Sequence, residues 1–326
     1  MQETGFPDTA PGTQLIKLCA QSSTEVVLCA PFIKVDALSR VVESIPSQVV
    51  LRCITRWRPD EIVIGVSDLD VWPLLKERGN SSLWLCANLH AKYYRSDDHC
   101  LVGSANITAA ALGWAAQPNL ELLATLPFDD SAVTGFEPHV FAVSAEIDNS
   151  IYEQMIEIVE AISVQVWQAT CQPEPIGTLD AHQQCGSLFQ PDPYWLPSLR
   201  NPEELFLAYA GETDRLSSAS QEAANNDLAV LAIPAGLPRG TFEAYVGALL
   251  LQQPAVRKVD AFVATPQRFG AVRDAIASMV ERPGFDADRA WQTLMRWLRY
   301  FLPDRYSLTV PHHSEVFGRM TEDEGK

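Results

Sequence analysis

Residues 90–106 (HAKYYRSDDHCLVGSAN) bring together the side-chain types in this chain best suited to chemistry. His90 and Lys92 are two apart, so on an extended strand both point to one side and Ala91 to the other. Tyr93 and Tyr94 continue the strand, Ser96-Asp97-Asp98 reads as a turn, and Cys100-Leu101-Val102 reads as the returning strand. Gly103 follows, where a missing Cβ lets the backbone come close to a neighbour. Ser104 and Asn106 again share a parity. Such a hairpin places an imidazole, an ammonium, a hydroxyl and a carboxamide at one end. That set suits a phosphate ester: the imidazole is a nucleophile, and the other three donate to the non-bridging oxygens.

The order His-x-Lys, four residues, Asp, a short spacer and Gly-Ser-x-Asn resembles the signature of the phospholipase D superfamily. His90, Lys92, Asp97, Gly103, Ser104 and Asn106 fill its six specified positions. The spacer from Asp97 to Gly103 is five residues, where many members have six, so the turn is expected to be tighter. The likeness continues through Asn119-Leu120-Glu121. The family commonly places a glutamate there that holds the catalytic histidine, and Glu121 matches it. The likeness covers about residues 10–127 and is weak beyond them. The plainer alternatives are an ordinary hairpin with an exposed His and Lys, and a surface acid at position 121.

The resemblance implies a mechanism. His90 would attack phosphorus to give a phosphohistidine, and a second histidine would protonate the leaving oxygen and later activate water. Lys92, Ser104 and Asn106 would surround the phosphoryl group, with no metal and no cofactor. Asp97 is expected to fix the hairpin turn rather than touch substrate. Two-lobed members carry the motif twice, but this chain has no second His-x-Lys. The nearest trace, His313-Ser314-Glu315, is either a decayed remnant or a surface histidine. The second catalytic histidine is therefore expected from another subunit, in a homodimer with one shared site on its two-fold axis. A pseudo-dimer with the C-terminal region is the competing arrangement.

The family cuts phosphodiesters in lipids and in nucleic acids. Single-motif members that dimerise resemble nucleases, including restriction-type and phage-defence ones. The wording His-Ala-Lys-Tyr-Tyr and Gly-Ser-Ala-Asn-Ile-Thr looks like that bacterial group. A nucleic-acid substrate is thus expected, with a lipid phosphodiesterase as the first alternative and a non-catalytic binding subunit as the second. A regulatory partner such as an ATPase is compatible with the danger a free nuclease poses to its host.

The rest of the chain bounds these expectations. Apolar residues make up 47% and charged ones 20%, a globular composition without an apolar run of membrane-span length. The N-terminal residues lack the basic-then-apolar order of a secretory signal, and no membrane attachment is expected. Seven cysteines form no C-x-x-C pair, so buried reduced thiols in a cytoplasmic protein are expected rather than a zinc site. The net charge of −17 argues against general coating of nucleic acid. Positive residues nevertheless cluster: Arg52, Arg56, Arg58, Lys76, Arg78, Lys92 and Arg95 are followed by none from Ser96 to Leu199. A nuclease can keep a basic groove in an acidic body, although acidity for solubility explains the total equally well.

The elements that must position the motif follow from periodicity. Residues 14–21 read as helix, 25–30 (EVVLCA) as strand, 36–45 as helix and 48–54 (QVVLRCI) as strand, a βαβ unit with parallel strands. Thr55-Arg56-Trp57-Arg58 then lies beyond a strand's carboxyl end, where α/β ligands gather. Arg56 and Arg58 are candidate phosphate clamps there, and Trp57 is a candidate stacking surface, against a solvated loop with an anchoring tryptophan. Residues 60–68 and 69–78 read as helical and 83–87 as strand. A short helix is expected over 107–112, with its amides adding to an anion site, and a strand over 120–126. The fold class expected is α/β: a phospholipase D-like lobe with a mixed sheet flanked by helices (1–167), a Pro/Gln-rich linker or arm (168–199), and a C-terminal α/β region (200–326). That region is either a degenerate lobe or a module for binding or assembly, with strands over 228–233 and 259–264 and helices over 241–252, 267–279 and 288–302.

Overall fold

The computed structural model describes residues 10–162, 192–280, 282–310 and 315–320. The chain divides into two compact units, Met1–Val159 and Glu160–Lys326. The expected linker falls mostly outside the described residues, as do Cys171, Cys185, His312 and His313.

The first unit is a seven-stranded mixed sheet in the order β6-β5-β4-β1-β2-β3-β7. Strand β1 (Glu25–Cys29) lies at its centre, with Val26 to Cys29 fully buried. A strand covered on both faces needs apolar residues throughout, which is what its unbroken run supplies. It pairs in parallel with β2 (Val50–Thr55), and β2 with β3 (Ser81–Leu85), as the strand–helix–strand reading requires. Between them run α2 (Val35–Val42), α3 (Pro59–Val63) and α4 (Val71–Arg78). On its other side β1 pairs antiparallel with β4 (Tyr93–Ser96), which folds back as β5 (His99–Gly103) and then meets β6 (Leu123–Pro127). Helices α5 (Phe136–Ala142) and α6 (Asn149–Ala161) flank the short edge strand β7 (Ala145–Glu146).

Alternation along β4 and β5 splits their side chains between two layers. Tyr93 and Cys100 join Val27, Cys29, Ile54 and Leu89 in a core capped by Val140 and Val143. Helix α1 (Pro11–Ala20) packs against β4 and β5, burying Leu15 and Cys19. The five described cysteines are buried free thiols. Burial pushes the Cys19 thiol up to about 12, so it stays protonated and inert.

Residues 108–113 form turns, not the expected helix. Ile107 is drawn instead into a parallel bridge with Ile33, and Gly113 turns the chain at φ +78°.

The second unit is dominated by helices, including Glu203–Tyr209, Ser218–Leu231, Arg239–Leu251, Pro254–Phe262, Phe269–Met279 and Ala287–Phe301. Its sheet has three antiparallel strands, β8 (Gln267–Arg268), β10 (Val316–Arg319) and β9 (Tyr306–Thr309), in that order. The strands expected over 228–233 and 259–264 are helical. The first run completes a helix whose N-cap is Ser217, accepting from the Ser220 amide at 3.1 Å. The second lies in a helix entered through Pro254, a favoured first helical residue. Short apolar runs do not distinguish the two states, and these start signals decide for helix. Asp260, fully buried, organises the region. It accepts from Arg257 at 2.6 Å, Arg305 at 3.0 and 3.1 Å, Tyr306 at 2.7 Å and Arg319 at 2.8 Å.

Candidate active site

The parallel strands β1–β3 all end at one side of the sheet, and β4 begins there, with Tyr93 opposite Cys29. His90, Ala91 and Lys92 precede β4, outside the strand itself. Their alternation still holds. Leu89, Ala91 and Tyr93 pack on the core, while His90 is exposed and Lys92 half-buried. Across the hairpin the Gly103 amide donates to the Lys92 carbonyl at 3.2 Å. One backbone bond therefore joins the His-x-Lys half of the motif to its Gly-Ser-x-Asn half.

The second half is moored on both sides of Asn106. Gly103 lies so close to β6 that an added Cβ would stand 1.9 Å from the Leu122 carbonyl oxygen. The missing Cβ is what permits this approach between strands. The Ser104 amide donates to Leu122 O at 3.0 Å, and the Leu122 amide donates to Ser104 Oγ at 3.2 Å. The Tyr94 hydroxyl, fully buried, donates to Ala105 O at 2.6 Å. Ile107 is tied to Phe32 O at 3.2 Å and to the Lys34 amide at 2.9 Å. Asn106 is held between these ties. Its Oδ1 is buried and accepts no hydrogen bond among the described residues. A half-turn of the amide would put its NH2 there as a donor.

Glu121 stands beside this group but does not hold His90. Its carboxylate accepts from Ser104 Oγ, and from Asn119 Nδ2 at 3.2 Å. Among the described residues the His90 imidazole has no hydrogen-bond partner. Lys92 Nζ donates to the His90 carbonyl at 2.8 Å. Burial lowers the Lys92 ammonium pKa below its ordinary value, and the positive Arg56 acts the same way, while Glu121 opposes both.

Other expected site residues lie elsewhere or are already occupied. Asp97 is at the far end of the hairpin, in its turn, at φ +48°. It accepts from the Ser23 amide and hydroxyl at 2.7 and 2.8 Å, the Thr24 amide at 3.0 Å and hydroxyl, and the Glu25 amide at 3.1 Å. Burial pushes its pKa up, but these donors outweigh that and hold the carboxyl well below the usual range. It thus pins the turn to the start of β1, at the opposite end of the hairpin from Lys92 and Gly103. Arg56 is near the site but is not a free clamp. Its Nε and Nη2 go to Glu61, and Nη1 donates to Leu89 O at 3.1 Å. Arg58 lies 3.6 Å from Asp60. Trp57 is fully buried and offers no stacking surface.

Two supporting features escaped the sequence reading. Arg95 is buried against Glu137 at 2.7 and 2.8 Å and against Glu25, and Tyr93 also donates to Glu137 at 2.9 Å. The arginine inside the motif thus braces the hairpin with its guanidinium turned to Glu137 and Glu25. A charged residue in a strand otherwise buried was the available signal. The Tyr94 hydroxyl was the other, since a buried Tyr hydroxyl requires a partner.

No protein-family model and no curated protein matches the sequence. Solved structures do. Nuc from Salmonella typhimurium, a phospholipase D family member, matches at 16% identity and TM-score 0.33, over 44% of this chain and 93% of that one. NucT from Helicobacter pylori matches at 16% identity and TM-score 0.30, over 44% and 86%. Phosphatidylserine synthase from Haemophilus influenzae Rd KW20 matches at 13% identity and TM-score 0.37, over 47% of this chain but only 41% of that one. In each case the stretch matched is under half of this chain.

Proposed function

We propose that the protein is a phospholipase D-type phosphodiesterase that cuts nucleic acid without a metal, through a phosphohistidine on His90. The observation that carries this reading is the gathering of His90, Lys92, Ser104 and Asn106 at one end of the β4–β5 hairpin, joined by the Gly103–Lys92 backbone bond. A neutral His90 ring nitrogen attacks phosphorus, and the bond from phosphorus to the leaving oxygen breaks. That oxygen takes a proton from the partner's His90. Water then gives its proton to the same histidine and attacks phosphorus, breaking the P–N bond and freeing His90. Lys92 exchanges the His90 carbonyl for one non-bridging oxygen, and the Ser104 hydroxyl turns its one proton from Glu121 to the other, which the Asn106 amide also meets.

The reading pairs two copies, because the described residues of one chain bring one such histidine to the site. Leu120 and Leu122 support the pairing: on either side of Glu121 they are 90% and 70% exposed, next to the edge strand β6. Apolar residues of that exposure beside a polar site fit a surface that a second copy covers. Nucleic acid is favoured by the likeness of the motif wording to bacterial single-motif nucleases. A second reading, a lipid phosphodiesterase, draws on a cleft of about 510 Å³ bordered by Pro11, Leu120, Glu121, Leu122 and Leu123.

The test is cleavage in excess EDTA by the wild type and by His90→Ala, on plasmid, single-stranded DNA, RNA and a phosphatidyl substrate, with mass from light scattering. Nucleic-acid cleavage by a dimer, abolished in His90→Ala, is the expected result. Cleavage of lipid alone would establish the second reading, and cleavage retained in His90→Ala would refute the mechanism.

A further inference from the structure

Arg56 follows β2 directly, and its guanidinium lies behind the loop that delivers His90. Two of its nitrogens are spent on Glu61 and the third on the Leu89 carbonyl at 3.1 Å, the peptide oxygen immediately before His90. The side chains of Arg56 and Glu61 are only 17% and 12% exposed, and the guanidinium lies 5.3 Å from the Phe32 ring centroid. Leu89 itself is sunk in the core, and its amide closes a turn onto Cys86 O at 3.1 Å. The turn and the Arg56 bond are thus two ties on the 86–90 loop.

We propose that Arg56 is a positioning residue for the His90–Lys92 pair, clamping the Leu89 carbonyl while Glu61 holds its guanidinium in the one orientation that reaches it. The kinetic part of this inference rests on the phosphodiesterase reading. A planar fork can meet a carboxylate with two nitrogens and a carbonyl with a third, which a lysine ammonium cannot do in fixed geometry. The same charge bears on Lys92. The charged and titratable groups acting on that ammonium are Arg56 beyond β2, Glu121 before β6 and Cys29 on β1. Arg56 disfavours the charged ammonium and Glu121 favours it. Position and charge are therefore separable, because lysine at 56 keeps the charge and loses the fork.

The experiment uses the full chain with Arg56→Lys, Arg56→Met and Glu61→Gln. It reads kcat and KM on the substrate cleaved, the melting temperature, and the pH dependence of Lys92 acylation, resolved by peptide mass spectrometry. Arg56→Lys is expected to lose about a hundredfold in kcat, the scale of a misplacement near 1 Å, with KM little changed and Lys92 titrating as in wild type. Arg56→Met is expected to lose as much kcat and to move the Lys92 midpoint up. Glu61→Gln, which leaves the guanidinium charge uncompensated, is expected to move it down. A wild-type kcat in Arg56→Lys, or midpoints moving the same way in Arg56→Met and Glu61→Gln, would overturn the proposal. If no phosphate ester is cleaved by any form, the phosphodiesterase reading fails, and the melting temperature then decides the clamp: a wild-type value in Arg56→Lys, which loses the tie to Leu89 O, would overturn it.

Discussion

Replacing Gly103 with alanine puts a methyl group 1.9 Å from Leu122 O, 2.9 Å from its carbonyl carbon and 3.1 Å from Leu123 Cα. All three atoms are backbone, so no side chain can swing aside. Ordinary contact begins near 3.4 Å, so β6 and the residues before it must retreat by about 1.5 Å. Crowding of that kind costs about 1–3 kcal/mol. The retreat also stretches the two bonds between Ser104 and Leu122, each worth about 1 kcal/mol. A loss of about 2–5 kcal/mol lowers the melting temperature of a unit this size by roughly 5–15 °C. The effect on activity should be larger in proportion, because Glu121, the hydrogen-bond partner of Ser104, moves with the strand while Ser104 stays behind. A displacement above 1 Å removes about a hundredfold or more from kcat. The assay is the EDTA cleavage reaction on protein verified folded by circular dichroism, with a thermal melt alongside. Gly103→Ala with wild-type melting temperature and wild-type kcat would refute the reasoning, since it would mean that β6 does not press on Gly103.

Asp97→Ala should cost stability without touching the chemistry: about 1.5 kcal/mol at pH 7 by urea unfolding, with kcat per folded molecule unchanged. Because its folded pKa is depressed, its stabilisation is present above the ordinary carboxylate pKa and fades as pH falls below it, so wild type and variant should converge in acid. Asp227 has the opposite sign. It is buried and accepts from the Ser198 amide at 3.0 Å and the Leu199 amide at 2.9 Å, and burial raises its pKa from 3.8 to about 6. A raised carboxyl pKa means that stability falls as pH rises from about 4 to 6. At about 1.4 kcal/mol per tenfold change, the fall is about 3 kcal/mol. Trp297, whose indole donates to Leu199 O at 2.7 Å, gives a fluorescence signal for that unfolding, and Asp227→Asn should flatten its pH dependence.

The site was legible to the extent that it is local. Within 90–106 the period-two alternation already separates His90 and Lys92 from Ala91 and Tyr93, and the short turn forces Lys92 and Gly103 opposite each other. The βαβ reading of 25–54 was equally local, since a β-branched run, an amphipathic helix and a second run leave few arrangements. The partners that Glu121 and Arg56 take differ from those expected, because which groups meet is set by the folded chain and not by distance along it. Ser104, not His90, is what the Glu121 carboxylate meets, and Arg56 is consumed by Glu61 and Leu89. Charge clusters in sequence say nothing about which carboxylates will fold against them.

Residue type and spacing determined the chemistry on offer, because a hairpin's two ends are set by its own backbone and need no other part of the fold. Tertiary structure alone decided which groups are held and which remain available. The sheet order β6-β5-β4-β1 brings Leu122 against Gly103, seats Asp97 on the start of β1 and buries Tyr94 under Ala105. These are contacts between residues 11 to 73 positions apart. They exist because the sheet must bury both faces of β1 and satisfy every backbone group at its ends, a requirement on the whole unit that no short window of sequence expresses.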